Sequence, residues 1–522
     1  MFAAASESAP ADLDLKAEAF SYALASGRVD AAKTYAKALS RAGYSQPFIG
    51  LTLAADRLSH GDLSGADEIL KSLDAGVYSS AVVEISRAWI ARERAGVEAG
   101  ADVLDKSGFQ TFRGFHDLHR ALIFASADDW RRADSAFGRA ADGAAARLAR
   151  GFYARSLEAR GEGAAAAGLY RAMLAERADD YEGRRGLYRL ANGLTAPATP
   201  KTAREGAALA LFNLGAATYQ QAMEAQALAP PGLSANGPPR LETPLSFAWL
   251  AVSLDPAFDE AWALIGAASE TYGDARMAAV AYERVSVEAS VYPDAILGAA
   301  RALGDLERYD AAAAVLAEAS EADPGSQIYA LPLADLLIRQ DRGDEAVLVL
   351  RDASETARRE GGGSWRIEGA LGAMLLETGR DAEALAALRR AVELAPNEPE
   401  ALNLLGYTLA DRGESLEEAE RLLKRARQLA PGSGAVVDSY AWAKFRLGKY
   451  EEAVFLLENA VELSPNSPVI TDHLGDAYWR VGRKLEATFE WRRALDLEPE
   501  PELRDAIERK LRDGLSEADE AA

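Results

Sequence analysis

The sequence predicts an all-α chain built by repeating one helical hairpin, and three observations predict it. Four prolines near its end, Pro396, Pro431, Pro465 and Pro499, stand 35, 34 and 34 residues apart. Twelve residues before each proline is an alanine (Ala384, Ala419, Ala453, Ala487), and eight before it a large apolar residue (Leu388, Leu423, Leu457, Trp491). Further upstream a small residue recurs at Gly372, Gly406, Ala441 and Gly475, preceded in the last three by Leu405, Tyr440 and Leu474. Small then large at fixed offsets describes two helices in close approach, and a proline ends the second.

Each unit therefore reads as helix A, a short turn and helix B. The alanine of helix B that faces helix A can be followed as Ala31, Ala66, Ala99, Ala133, Ala166, Ala278, Ala312, Ala346, Ala384, Ala419, Ala453 and Ala487, mostly in steps of 33 to 35. Pro256 and Pro324, 68 apart, fix the register of the middle independently. One hairpin cannot bury its apolar face alone, whereas stacked neighbours share a continuous core, so the length of 522 residues implies an elongated stack.

The register breaks at residues 195–204 (TAPATPKTAR), at 228–244 (LAPPGLSANGPPRLETP) and at 358–364, where Gly361 to Gly363 stretch the step from Ala346 to Ala384 to 38. The first two breaks bracket a helical stretch containing Leu211, Leu214 and Gly215, and Ala248, Ala251 and Pro256 then resume a helix B. Segment 228–244 is thus an insertion between helix A and helix B, serving either as a lip or hinge or as a tolerated surface loop. The expected organisation is a disordered leader (1–11), an N-terminal block (12–194), a middle block (195–357), a Gly-rich linker (358–364) and a regular C-terminal block (365–499). Leu503, Ile507, Leu511 and Leu515 at helical spacing predict a capping helix over 500–515, before an acidic, disordered tail (516–522).

This pattern resembles the tetratricopeptide repeat, with its hydrophobic-small pair in helix A, its alanine and large residue in helix B and its closing proline. The resemblance implies a right-handed superhelical solenoid of about 12 such hairpins with a C-terminal capping helix. It also implies binding of peptides or extended partner segments on the concave face lined by the A helices, with no catalysis.

Composition excludes several other classes. A formal charge of −23 disfavours a general nucleic-acid surface, which needs basic patches, and an RNA-binding repeat of similar period is disfavoured with it. No apolar run reaches the roughly 18 residues of a membrane span. With no cysteine, these 522 residues hold no disulfide, thiolate metal site, thiol nucleophile or lipid-bearing cysteine. The first residues, MFAAASESAPA, fit either the end of a signal peptide whose start lies upstream or a short leader on a cytoplasmic protein.

A search for chemistry returns little. His116 and His119 share a helical face beside Asp117, but two histidines are an incomplete ligand set, so they read as packing or surface residues. The string Gly161-Glu162-Gly163 to Ala166 has the spacing of a dinucleotide loop but no strand before it. There is no GxSxG, HExxH or phosphate-loop pattern, and repeats from about Leu15 to Leu515 leave no room for a catalytic domain. Neither cofactor nor metal is expected.

By the resemblance, the positions one and four after the small residue of helix A face the groove. They are Tyr407 and Ala410, Trp442 and Phe445, and Asp476 and Trp479, with Asp438 and Asp472 three before. Rings beside carboxylates suit an extended peptide with apolar and basic side chains, whereas packing between helices is the structural alternative. The tetratricopeptide subgroup that grips acidic chaperone C-termini has lysines and asparagines there, so that ligand is disfavoured.

The C-terminal third is also similar to bacterial outer-membrane lipoprotein adaptors that bind a periplasmic carboxyl-terminal processing protease and bring it peptidoglycan hydrolases. The resemblance runs over roughly Ala384 to Leu515, through Leu404 to Gly413, Val437-Asp438-Ser439, Arg446 to Ala453 and Asp472 to Trp479. It departs in lacking the lipid-bearing cysteine and in having Ala441 where those proteins carry glycine. It implies an exported scaffold at the periplasm or outer-membrane periphery, and the alternative is a cytoplasmic scaffold using the same groove.

Overall fold

The computed structural model describes residues 12–74, 76–106, 113–141, 145–178, 180–228, 239–323, 326–359 and 362–515. The predicted leader, the acidic tail, residues 229–238 of the insertion, Gly361 and Pro324 lie outside the described residues. Among the described residues there are 28 helices and no strand. They fall into two units, Met1–Val315 and Leu316–Ala522.

In the first unit α1 (Leu13–Ala25) packs on α2 (Val29–Arg41), α3 (Pro47–Ser59) on α4 (Leu63–Lys71) and α5 (Gly76–Ala95) on α6 (Val97–Asp105). The next hairpins are α7 (Arg113–Ala125) with α8 (Trp130–Ala140) and α9 (Ala146–Ala159) with α10 (Gly163–Glu176). Then come α11 (Tyr181–Asn192), α12 (Ala203–Ala227), α13 (Glu242–Leu254), α14 (Asp259–Thr271), α15 (Ala275–Tyr282) and α16 (Tyr292–Asp305). Short polar residues start many of these helices: the side chains of Asp12, Asp62, Asp129, Asp180 and Asp274 each accept an N–H of the first turn, which would otherwise lack a partner.

α17 (Tyr309–Ala322) crosses the boundary, and the second unit continues with α18 (Ala330–Ile338), α19 (Gly343–Arg359), α20 (Trp365–Glu377) and α21 (Asp381–Leu394). The regular repeats follow as α22 (Pro399–Asp411), α23 (Leu416–Leu429), α24 (Gly434–Arg446), α25 (Tyr450–Leu463), α26 (Pro468–Arg480) and α27 (Lys484–Asp496), with α28 (Pro501–Asp513) last. Here proline opens α22, α26 and α28 at the first helical position, where its missing N–H costs nothing. Gly448 and Gly482 take positive φ (71° and 82°) to turn from helix A to helix B.

The small-on-large rule sets how closely each pair approaches. A Cβ added to Gly372 or Gly406 would lie 2.6 Å from Leu388 or Leu423, and one on Gly475 would lie 2.4 Å from Trp491. The same device recurs upstream, where Gly186 faces Tyr170 and Gly266 faces Tyr282. Ten of the twelve predicted alanines, from Ala66 to Ala487, are fully buried. The other two need a correction of one residue: Ala31 is exposed and Ala32 fully buried, and the inward position beside Ala99 is Gly100. A side chain at Gly100 would meet the Ala88 carbonyl oxygen at 2.8 Å, so only glycine fits. The corrected series Ala32, Ala66, Gly100, Ala133 is more regular than the predicted one.

The first unit departs from simple stacking. The α12–α13 hairpin lies against α1, α3 and α5, the leading helices of the first three hairpins. Trp249 sits over Gly27, Phe247 meets Phe48 at 4.7 Å, and the fully buried Trp89 lies flat against Gly206. Residues of α1 to α9 and of α12 to α15 consequently share one core, while α10 and α11 pack with the end of α9 in a separate cluster around Tyr170. Gly206→Ala would place its Cβ 2.2 Å from the Trp89 ring. We expect it to destabilise this unit by about 1–3 kcal/mol, whereas Gly138→Ala, in open space on α8, adds about 0.5–1 kcal/mol. Thermal melts of the two variants test the pair, and equal shifts would refute the packing.

A buried ionic network ties α9, α10 and α11 to the segment before α16. Arg155 donates to both Glu182 oxygens at 2.9 and 2.6 Å. Arg189, fully buried, donates to Glu158 (2.9 Å), the Tyr170 hydroxyl (3.0 Å), Glu182 (3.4 Å) and Glu288 (3.3 Å). Tyr170 also donates to Glu158, and Arg185 to Glu288.

Candidate partner-binding face

On α24, Asp438, Trp442 and Phe445 are spaced i, i+4, i+7, and on α26 the same spacing holds Asp472, Asp476 and Trp479. Each set therefore lines one face of its helix. α24 packs between α22 and α26, which brings Tyr407 of α22 into the same row. Asp438, Trp442, Phe445, Asp472 and Asp476 are buried, while Tyr407 and Trp479 are half-buried.

The rings form a packed wall. Trp442 lies nearly parallel to Phe445 at 4.9 Å and to His473 at 4.4 Å, and Phe445 turns its other side to Tyr450. Trp479 packs on Trp491 at 5.3 Å beneath the Lys484 ammonium, and Gly514 closes over it with φ 80°, where a Cβ would lie 2.3 Å from the ring. Burial and the Asp411 and Asp438 carboxylates hold the Tyr407 phenol above its ordinary pKa.

The carboxylates are engaged from within the chain. Lys510 of α28 donates to Asp472 Oδ2 at 2.8 Å and Asp476 Oδ2 at 2.7 Å, and Trp491 Nε1 donates to Asp476 Oδ1 at 2.9 Å. Two acids share one ammonium, so burial and the neighbouring Asp472 push the Asp476 carboxyl well above the usual carboxylate range. Lys510 stays cationic, since the two carboxylates outweigh its burial. On α22, α24 and α26 the buried Asn403 Oδ1, Trp442 Nε1 and Asp472 Oδ1 have no hydrogen-bond partner.

Sequence reasoning missed Lys510 and His473. The repeat register already contained the first, because Trp442, Asp476 and Lys510 are successive 34-residue steps. The lysine of α28 thus stands at the next position of the same row. His473 was hidden because its partners, Trp442 and Asp438, lie on the preceding A helix.

Burial disfavours protonation of His473, but Asp438 Oδ1, 2.9 Å from its Nδ1, outweighs burial with help from Asp472 and Asp476 and holds its pKa above the ordinary 6.5. A histidine with a raised folded pKa contributes stability that is complete below 6.5 and is lost as pH rises through the folded value. The expected result is that stability of the second unit declines from pH 6.5 upward, and that Asp438→Asn flattens the decline. An imidazole titration by NMR with a wild-type midpoint below 6.5 would contradict this.

The histidine pair in the first unit is spent on packing. His119 Nδ1 accepts from Trp89 Nε1 at 3.0 Å, which leaves the ring proton on Nε2, and the Asn213 side chain 3.2 Å away accepts it with its amide oxygen turned toward the ring. Burial lowers its pKa to about 3, so it is neutral. Among the described residues no cluster of histidine and carboxylate ligands is arranged to hold a metal ion, and no helix is long and apolar enough to cross a membrane.

Comparison with known proteins bears on the same region. Tetratricopeptide repeat family models match residues 297–361, 350–399 and 370–434, and a second such model matches 439–467. The TPR repeat-containing protein PA4667 of Pseudomonas aeruginosa is 44% identical over 62 residues, which is 12% of this chain. The chain spans about a tenth of the length of that curated relative. Among solved structures, the APC/C hetero-tetramer Cut9-Hcn1 aligns over 97% of both chains at 15% identity with a TM-score of 0.38. YrrB, a TPR protein with an unusual peptide-binding site, aligns over 33% of this chain and 86% of its own at 23% identity and a TM-score of 0.28. TTC0263, a thermophilic TPR protein of Thermus thermophilus, aligns over 36% and 99% at 22% identity and a TM-score of 0.31. The family matches include the hairpins in which Gly372 meets Leu388 and Gly406 meets Leu423, and residues 297–434 and 439–467 of this chain are tetratricopeptide repeats.

Proposed function

We propose that the chain is a non-catalytic protein-interaction scaffold whose second unit takes an extended partner segment along the A-helix row of Tyr407, Asp438, Trp442, Phe445, Asp472, Asp476 and Trp479. The observation that carries this reading is the set of orphan polar atoms on that row. Burying the Trp442 indole N–H and Asp472 Oδ1 without partners costs about 1–3 kcal/mol each, a cost that is relieved when the row opens onto the carbonyl and N–H groups of a bound peptide backbone. The finer version places the scaffold in a bacterial envelope, joining a periplasmic carboxyl-terminal processing protease to its substrates. It rests on the motif resemblance over Ala384 to Leu515.

The burial of Trp442 shapes the test. Trp442→Ala would remove a packed ring, so Trp442→Phe is the informative change: it keeps the stack and deletes the N–H. With a photo-crosslinking residue at half-buried Tyr407 in the producing cells, the expected result is one protein captured, with yield reduced about tenfold by Trp442→Phe. Capture no greater than from a crosslinker at exposed Phe455, on a B helix, overturns the groove reading. Capture of a protein unrelated to the protease or its substrates overturns only the finer version.

A further inference from the structure

The first unit encloses space of a different kind. Two adjoining cavities, of about 490 and 290 Å³, share Phe152, Arg155 and Glu260 as walls, and α12 supplies Phe212, Asn213 and Ala217 to the larger. The larger has a mostly apolar lining that includes Phe115, Phe152 and Phe212, the smaller is mostly polar, and an apolar space opening beside a few convergent polar groups is the form of a small-molecule site.

Most of the polar groups there are already committed. Arg155 is held bidentate by Glu182, the Asn213 amide faces His119, and Glu205 caps α12 through the N–H groups of Lys201 and Thr202. Asp259 accepts from the Ser286 N–H and hydroxyl, and Glu288 accepts from Arg185 and Arg189. Glu260 is the exception: among the described residues no side chain donates to its carboxylate, which has only its own backbone N–H beside it. Burial is the main reason its pKa is raised; Asp259 and Glu182 add to the shift, and Arg155 opposes it. The smaller cavity is lined by five carboxylates, Glu205, Asp255, Asp259, Glu260 and Glu288, against one cation, Arg155. An anion would be repelled, and a neutral guest would leave Glu260 with no counter-charge but Arg155, which Glu182 already holds.

We propose that these joined cavities bind a small organic cation with an aromatic or alkyl body, its ammonium against Glu260 and its body between Phe152 and Phe212. The carboxylate supplies the counter-charge and the ring faces attract the same cation. The site exists because α12 folds back over the A helices, and it is independent of partner binding by the second unit.

Three indole derivatives of similar shape and different charge test it on the full chain by calorimetry at fixed salt: tryptamine, tryptophol and indole-3-propionate. Tryptamine is expected to bind at least about tenfold tighter than tryptophol, with no measurable binding of the propionate. Glu260→Gln should erase the preference for tryptamine while leaving the melting curve in place. Ala217→Phe, which fills the larger cavity without touching Glu260, should weaken tryptamine about tenfold and decides the matter if the first variant fails to fold. Equal affinities for tryptamine and tryptophol, a preference that survives Glu260→Gln in a folded protein, or wild-type affinity in Ala217→Phe overturns the proposal.

Discussion

Replacing Arg189 by methionine is expected to cost the first unit about 3–5 kcal/mol, a large share of the stability of any domain. The side chain is fully buried, and its guanidinium serves Glu158, Glu182, Glu288 and the Tyr170 hydroxyl together. Methionine fills much of the same volume, so the loss measures charge left uncompensated and not a void. Arg155 still holds Glu182, and Arg185 still holds Glu288, whereas Glu158 loses its only guanidinium among the described residues. Adding Glu158→Gln should therefore recover part of the loss, and the two changes should be strongly non-additive. Hydrogen exchange across α9 to α11 reads the effect locally. A loss below about 1 kcal/mol would mean that the network is no more than surface ion pairing.

Trp491→Ala is expected to cost the second unit about 3–5 kcal/mol by urea unfolding. The ring is completely buried in the last helix B, fills the notch made by Gly475, supports Trp479 and donates to Asp476. The alanine variant opens a cavity and also leaves one Asp476 oxygen without its donor, beside a carboxylate pair that has only one lysine. Its partner in packing supplies the control. Gly475→Ala in the wild-type background forces a contact of 2.4 Å with the ring and should destabilise, yet in the Trp491→Ala background it should be nearly neutral or favourable. Additive effects would mean that the two residues do not meet.

The repeat was legible because stacking is a local rule written once per unit. A glycine or alanine in helix A and a large residue in helix B must meet wherever two helices cross, so Gly406 with Leu423 and Gly475 with Trp491 could be paired from spacing alone. Register errors arose only at Ala31 and Ala99, where neighbouring small residues gave the spacing two nearly equal choices and the true one was decided by close approach, as at Gly100. The hairpin folded back in the first unit was illegible for a different reason. Leu211, Leu214 and Gly215 marked α12 as helical, but its contacts with α5, and those of α13 with α1 and α3, join residues more than 100 positions apart and have no period. At the candidate face the positions were legible and the partners were not. Lysine on a helix reads as solvent-facing, so the burial of Lys510 between two aspartates could be found only by carrying the register one step past Trp491's repeat.

The seat of α12 and α13 on α1, α3 and α5 also sets the order of events while the chain is made. A stack of repeats can fold as it emerges, each hairpin covering the last, and the second unit has this form. The first three hairpins of the first unit do not receive their cover until Leu254 has been added, 159 residues after α5 ends at Ala95 (254 − 95). At ~5–20 residues per second that interval is roughly 8–32 s. Through it, apolar positions such as Phe20, Phe48 and Trp89 face outward on a growing chain, where they are open to chaperones and to other unfinished copies. The first unit is begun well before it can be completed.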